Sequence, residues 1–282
     1  MSLDFNPDRA VPEPKLAASV LVLREGSEGL EVFCVERHQR SGFLGGAIVF
    51  PGGKVDENDA DDAWAETSTA LPARAVTLAS TAASTRALAV AACRECLEEA
   101  GLCPLLPAPS PSDLDSLRME AATAGLRAAL EGRGLRLDLQ ALVPFARWIT
   151  PEAESRRYDT AFFLLRCPPG QTGKHDDHET TASFWRRPAQ LLHQWSAGTV
   201  FLAPPTVRCL ELLAVAQSFD QAVRIGEEQS LLTICPVFVP ASDQGLPFLA
   251  LPGDPAHPVR ERRVAGPTRF VLREGRFVGE DP

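Results

Sequence analysis

The chain has 282 residues, of which 45% are hydrophobic and 23% are charged, and its formal net charge is −9. These values are ordinary for a globular protein and exclude a fibrous repeat, wholesale disorder and a small disulfide-stapled domain. The acidic balance argues against nucleic-acid binding, because that needs a basic surface. No stretch approaches the ~20 apolar residues of a membrane span. Residues 1–5 show no signal-peptide pattern, so we expect a cytoplasmic protein without a membrane partner.

The apolar patterns predict a mixture of strands and helices within one domain, residues 1–282. A hairpin is expected from strands at residues 15–24 and 30–37, and the terminal segment 270–278 has the pattern of another. This mixture favours an α/β or α+β fold with a C-terminal extension at residues 218–282. Further strands are predicted at residues 142–149 and 158–167, and helices at residues 84–100, 113–132, 188–195 and 205–217.

Three glutamates share one arc of the helix predicted at residues 84–100. At 100° per residue, Glu98 and Glu99 lie within about 60° of Glu95, nearly opposite the apolar face. Like charges at this spacing destabilise a helix, and the dipole disfavours anions near its C-terminal end, where Gly101 is a natural cap. A hard cation such as Mg²⁺ or Mn²⁺ would offset both effects, whereas the alternative is a solvated acidic face.

The segment upstream of this helix favours a bound cation over a solvated acidic face. Residues 50–53 read F-P-G-G after a short apolar run, and residues 94–102 read R-E-C-L-E-E-A-G-L. Together they match the Nudix box, G-x5-E-x7-R-E-U-x-E-E-x-G-U, in which U is apolar. On these residues the chain resembles the Nudix hydrolases.

The chain departs from the box in two places. Asp59 stands where the family has glutamate, with Glu57 or Asp56 as alternatives for that carboxylate. The stretch from Asp59 to Arg94 is much longer than the seven residues of the box, so an insertion at about residues 60–83 interrupts it. Such an insertion is tolerable because added loop length costs little entropy.

Further segments narrow the resemblance to the coenzyme A diphosphatase branch, and within it to the Nudix motif-19 type, whose box is also interrupted. Arg37 and Gly46 match the branch, whereas Gly42 stands where it often has a second arginine. The matches cover roughly residues 16–215, and we take about 16–217 as the core. They lie at residues 37–53, 148–151, 156–163 and 202–206.

The resemblance implies an α/β/α sandwich with a mixed β-sheet. It also implies metal-dependent hydrolysis of coenzyme A or acyl-CoA to 3′,5′-ADP and 4′-phosphopantetheine or its acyl form. One alternative is a Nudix enzyme acting on ADP-ribose, NAD(H) or another nucleoside diphosphate derivative. A second is a degraded domain that only binds a nucleotide or a protein partner.

The resemblance also assigns roles to residues. Glu95, Glu98, Glu99 and the carbonyl of Gly52 would hold Mg²⁺ or Mn²⁺. Arg94 would brace the carboxylates, and either Glu99 or Glu95 would be the general base.

Other positions are assigned less directly. Glu179 is the candidate for a further acidic ligand from a later loop, with Asp176 and Asp177 as alternatives. Substrate contacts are expected from Gly53 and Arg37, and from Arg156 and Arg157 unless these only cap a turn. For the insertion and the extension, two roles stay open: they shape the side of the site that binds the acyl chain, or they form a homodimer interface.

Overall fold

The first two strands form the predicted hairpin at the centre of the fold. The computed structural model describes residues 5–6, 10–40, 44–176, 180–243 and 245–282. Strand β1 (Lys15–Gly26) pairs antiparallel with β2 (Gly29–Arg37). Residues 17–23 of β1 are buried on both faces, as expected of a strand covered by helices on both sides.

The hairpin belongs to a seven-stranded mixed sheet. Its path runs β3-β2-β1-β8-β7, with β4 on β1 and β9 on β2. The pair β1–β8 is parallel, whereas β7–β8 and β2–β9 are antiparallel. The other strands of this sheet are β3 (Ile48–Val49), β4 (Gly52–Lys54), β7 (Val143–Ile149), β8 (Tyr158–Arg166) and β9 (Thr180–Arg186).

Helices cover both faces of this sheet. Alternate residues of β1 point to opposite sides, so that Val20 and Val22 enter one apolar cluster and Leu21 and Leu23 enter the other. The first cluster contains α1 to α3 and the second contains α4 to α6, which confirms the predicted α/β/α sandwich. The helices are α1 (Ala82–Ala100), α2 (Pro111–Ala124), α3 (Leu126–Glu131), α4 (Pro188–Ser196), α5 (Pro204–Leu213) and α6 (Phe219–Glu228).

The helix predicted at residues 113–132 is two helices. Gly125 separates α2 from α3 with a φ of 84°, a value that a continuous right-handed helix does not contain. The apolar spacing continues across the break, which is why the periodicity suggested one helix.

The insertion is folded onto the core. Short 3₁₀ helices occupy Glu57–Ala60, Asp62–Ala65 and Ala73–Thr77. Trp64 and Leu78 are buried in the cluster around α1. Arg74 donates hydrogen bonds to the carbonyl oxygens of Pro144 at 3.1 Å and Gly226 at 2.6 Å, which fastens the insertion to the other end of the sheet.

The extension adds a second sheet of four antiparallel strands in the order β10-β11-β12-β13. Its last two strands are the predicted terminal hairpin, with Leu272 opposite Phe277. Among the helices of the described residues, none combines the length and the hydrophobicity that crossing a bilayer requires. The remaining strands are β5 (Leu105–Leu106), β6 (Arg136–Leu137), β10 (Val237–Val239), β11 (Phe248–Ala250), β12 (Arg269–Arg273) and β13 (Arg276–Glu280).

Candidate active site

Residues 50–53, which we call the glycine loop, lead from β3 into β4 and are held tightly against β1. The hydroxyl of Ser19 donates to the carbonyl oxygen of Pro51 at 3.1 Å, and the backbone N–H of Val20 donates to the same oxygen at 2.8 Å. A Cβ atom on Gly52 would lie 2.3 Å from the carbonyl oxygen of Ala18. Only glycine therefore fits where the loop approaches the strand.

Helix α1 brings its last turns to this loop. It begins at Thr81, whose side chain accepts a hydrogen bond from the N–H of Ser84, and it ends at Gly101 in the left-handed conformation with a φ of 61°. This is the predicted glycine cap. The buried alanines and cysteines of α1 pack under the sheet, which turns its glutamates toward the loop.

Glu99 joins the helix directly to the loop. Its side chain is only 3% exposed, and its Oε2 accepts a hydrogen bond from the N–H of Gly52 at 2.9 Å. A buried carboxylate needs such donors to keep its charge. The contact fixes the carboxylate beside the glycine loop.

Glu95 and Glu98 are half-buried and line a pocket next to the loop. Nη1 of Arg94 donates to Oε1 of Glu95 at 2.9 Å and to Oε2 of Glu98 at 3.0 Å. Burial raises the pKa of Glu98, and the charge and hydrogen bond of Arg94 oppose that rise. Positive charge at this wall therefore stabilises the ionised carboxylates.

Arg94 also holds Asp59, across the insertion. Nε and Nη2 of Arg94 each donate to one oxygen of Asp59 at 2.9 Å, and Asp59 is 2% exposed. Burial alone would lower the pKa of Arg94, but the hydrogen bond with Asp59 and the three carboxylate charges raise it well above its ordinary value. Among the alternatives for this carboxylate, Asp59 makes the two-pronged contact, while Asp56 is 3.7 Å from Nη2.

The donor atoms suit a hard divalent cation, although the side chains do not converge on one point. Within the described residues, no three His, Cys, Asp or Glu side chains form a ready-made metal centre. Glu95 and Glu98 turn to Arg94, while Glu99 turns to Gly52. The set nevertheless fits Mg²⁺ or Mn²⁺, because it supplies only carboxylate and carbonyl oxygens, with Gly52, Glu95 and Glu98 lining a pocket and Glu99 hydrogen-bonded to Gly52.

The pocket beside these residues has a volume of about 480 Å³, within the range of ligand sites. Gly52, Gly53, Glu95 and Glu98 line one end of it. Arg37 also lines it, and the buried Nε of this arginine has no hydrogen-bond partner in the described part of the chain. The guanidinium of an arginine that lines a pocket is a group that can bind a substrate phosphate.

Other predicted residues lie elsewhere. Arg157 is 8% exposed and donates to the carbonyl oxygens of Thr150 at 3.0 Å and Pro12 at 2.9 Å, so its role is structural. Arg156 is exposed and does not line the pocket. The geometry gives the predicted phosphate contact no support at either arginine, and the contact stays a prediction.

Of the acidic residues predicted as ligands in the later loop, only Asp176 lies within the described residues. Glu179 and the alternative Asp177 lie outside the described residues. Asp176 accepts hydrogen bonds from the N–H of Thr180 at 3.1 Å and from its hydroxyl at 2.8 Å, which anchors the start of β9. The assignment of Glu179 as a ligand stays a prediction.

Sequence reasoning missed the opposite wall of the pocket. Trp148 is buried but also lines the pocket, and it is not among the predicted site residues. Leu249 and Phe277 of the extension line it too, although the sequence singled out no site residue in the extension. Only the tertiary pairing reveals these contributions.

Replacing Gly53 with alanine is expected to lower kcat/KM about 100-fold while leaving the fold intact. A Cβ atom at this position would lie 2.3 Å from Oε1 of Glu95, so the carboxylate must move, and a misplacement of about 1 Å costs roughly that factor. Because the clash is with the end of a side chain, the melting temperature should change little. Gly52→Ala is the contrasting variant: its clash is with the backbone of β1, so it should also lower the melting temperature. Equal destabilisation of both variants would contradict this account.

Comparisons with known proteins agree with this geometry. The sequence profile of the family described as NUDT19 Nudix domain matches residues 67–213. Proteins named acyl-coenzyme A diphosphatase NUDT19 are 28% identical in Gallus gallus, over 81% of this chain and 73% of the relative, and 29% identical in Homo sapiens, over 64% and 59%. The one from Xenopus laevis is 25% identical over 62% of this chain and 57% of its own length. The chain thus spans less than two thirds of the human and frog relatives.

A solved structure supports the fold. The crystal structure of a NUDIX hydrolase from Alicyclobacillus acidocaldarius has a TM-score of 0.64 and 28% sequence identity to this chain. The similarity covers 76% of this chain and 97% of that one. The α/β/α arrangement described above is therefore shared with an experimentally determined structure.

Proposed function

We infer, because the chain belongs to the NUDT19 Nudix domain family, that it hydrolyses the pyrophosphate bond of coenzyme A or acyl-CoA. The products are 3′,5′-ADP and 4′-phosphopantetheine or its acyl form. The observation that carries this proposal is the intact set of Arg94, Glu95, Glu98 and Glu99 beside the glycine loop, at one end of a pocket that can hold a ligand.

Nudix hydrolases generally require a divalent metal, and we propose Mg²⁺ or Mn²⁺ here. Glu95, Glu98, Glu99 and the carbonyl of Gly52 would hold it, with Glu179 as a further ligand. A metal held by these residues would supply positive charge against the pyrophosphate and would make a bound water molecule more acidic. Arg94 keeps two of the carboxylates ionised and positioned, because its guanidinium contacts Glu95 and Glu98 while Asp59 holds it in place.

The proton and phosphate steps are assigned to the remaining groups. Glu99 or Glu95 takes a proton from the water that attacks phosphorus in line with the leaving oxygen. Arg37 binds a substrate phosphate, since it is an arginine that lines the pocket. Gly53 lines the same pocket, where it would approach the substrate closely.

Two alternative functions are tested by the same assay. A Nudix enzyme of ADP-ribose or NAD(H) would share the carboxylate set but would release AMP from those substrates. A degraded domain would bind without turnover, and the intact arginine and glutamates weigh against it. The names of the relatives favour the coenzyme A substrates.

The test is an incubation of the purified chain with Mg²⁺ or Mn²⁺ and separate samples of CoA, an acyl-CoA, ADP-ribose, NADH and a diadenosine polyphosphate. We expect 3′,5′-ADP from the CoA substrates at the highest kcat/KM, with products identified by chromatography and mass. Adding EDTA should abolish the reaction, and returning the metal should restore it. Faster release of AMP from ADP-ribose or NADH would overturn the CoA proposal, and turnover unaffected by EDTA would overturn the metal proposal.

Location and assembly are part of the proposal as well. The sequence favours the cytoplasm, which localisation of a tagged chain in cells tests. We also propose that the chain forms a homodimer through the insertion or the extension. The mass in solution, measured by light scattering, decides between monomer and dimer.

A further inference from the structure

The floor of the pocket runs across four adjacent strands. Lys54 in β4 is opposite Ala17 in β1, Ala17 is opposite Thr160 in β8, and Thr160 is opposite Trp148 in β7. All four residues line the pocket. Neighbouring strands are about 4.8 Å apart, so Trp148 lies roughly 14 Å across the sheet from Lys54 and the glycine loop. The pocket is therefore elongated, with the carboxylates at one end.

The two ends of the chain build the wall beyond Trp148. Trp148 forms a bridge with Ile234, which leads the chain to the second sheet. The ring of Phe5 stacks on Phe238 with centroids 4.5 Å apart and meets the edge of Phe277 at 5.9 Å. Phe5, Leu249 and Phe277 line the pocket here. This aromatic and aliphatic surface, which we call the far wall, consists of residues outside the core of about 16–217.

Charge is divided between the two ends. The cationic side chains among the described lining residues are Arg37, Lys54 and Arg94, and none of them comes from β7, β8 or the extension. The lining also contains the carboxylate of Glu154, which is 6% exposed. A phosphate at the far wall would lose its hydration without a cation among the described residues there to replace it, whereas an uncharged chain would gain from burial.

We propose that the far wall binds the acyl chain of the substrate, and that Phe5 and Leu249 determine acyl-chain preference. The proposal rests on the proposed diphosphatase function. In acyl-CoA the charges belong to the nucleotide half and the pyrophosphate, which match the cationic end. The pantetheine arm is uncharged and would extend across the four-strand floor, and this places its thioester and hydrocarbon chain against Phe5, Leu249 and Phe277.

The test compares octanoyl-CoA with free CoA in wild-type protein and in the variants Leu249→Ala and Phe5→Ala. Each variant should lose about tenfold in kcat/KM for octanoyl-CoA, while free CoA should change less than about threefold. Phe248→Ala is the matched control: Phe248 neighbours Leu249 in β11 but lies outside the pocket lining, with Arg269 over its ring at 4.1 Å. Phe5 is only half-buried, so its variant keeps the test valid if Leu249→Ala unfolds.

Binding of octanoyl-pantetheine separates this proposal from the proposed function, because that molecule has no pyrophosphate to cleave. By calorimetry with Mg²⁺ present, wild-type protein and Phe248→Ala should bind it, and Leu249→Ala and Phe5→Ala should bind it about tenfold more weakly. Equal binding by all four proteins, or an equal loss of kcat/KM for octanoyl-CoA and free CoA, would overturn the far-wall assignment. Failure of the wild-type protein to cleave any CoA substrate, with binding as expected, would overturn only the diphosphatase function.

Discussion

Replacing Glu99 with glutamine should reduce kcat/KM for CoA by about 10³-fold and leave the fold unchanged. Glu99 is the buried carboxylate of the site, assigned as a metal ligand and as one of two candidate bases, and glutamine can neither accept a proton nor bring negative charge to a cation. Its side-chain oxygen can still accept the N–H of Gly52, so the link between helix and loop persists. The measurement combines steady-state kinetics with thermal unfolding.

Two further variants provide a control for that experiment and a comparison between the two candidate bases. Glu228→Gln makes the same chemical change at an exposed position at the end of α6, so it should retain wild-type activity. Glu95→Gln tests the other candidate base: the residue that acts as base should show the larger loss in kcat at saturating metal. Near wild-type turnover by Glu99→Gln would remove Glu99 from the mechanism.

The carboxylate end of the site was predictable because its signals are local. The arc of Glu95, Glu98 and Glu99 follows from helical periodicity, and Gly101 marks the helix end through its left-handed cap. The resemblance supplied Asp59 only as the residue that stands where the family has glutamate. Its pairing with Arg94 is visible only in the folded chain, since no periodic pattern links residues separated by an insertion. The sandwich followed from the alternation of strands and helices together with that resemblance.

The rest of the site depends on contacts between distant segments. Phe5 meets Phe277 from the opposite end of the chain, and Trp148 reaches the pocket through its pairing with Thr160. No local pattern specifies such pairs, so the sequence left the role of the extension open between an acyl-binding side and a homodimer interface. Arg157 shows the same dependence on the fold: its type suggested a phosphate ligand, but its burial and its carbonyl partners, which give that contact no support, are visible only in the folded chain.

Replacing Arg94 with methionine should destabilise the protein by about 3–5 kcal/mol, because it leaves Asp59 buried without its partner. The same change frees the carboxylates of Glu95 and Glu98 from the cation that holds them, so activity should fall in whatever fraction remains folded. Arg94→Lys keeps the charge but not the planar guanidinium that bonds both oxygens of Asp59. Its free energy of unfolding should therefore lie between those of the wild-type protein and Arg94→Met.

Urea unfolding of the full chain measures this loss, and Arg127→Met provides the control. Arg127 also contacts two carboxylates, Asp61 at 3.2 Å and Glu131 at 2.8 Å, but all three side chains are at least one third exposed, so its loss should cost less than about 1 kcal/mol. Adding Asp59→Asn to Arg94→Met should recover part of the stability, since the unpaired charge is then gone. If the double variant were as unstable as the sum of its parts, Arg94 would stabilise the fold through its packing or its bond to the carbonyl oxygen of Lys54 rather than through the buried charge of Asp59.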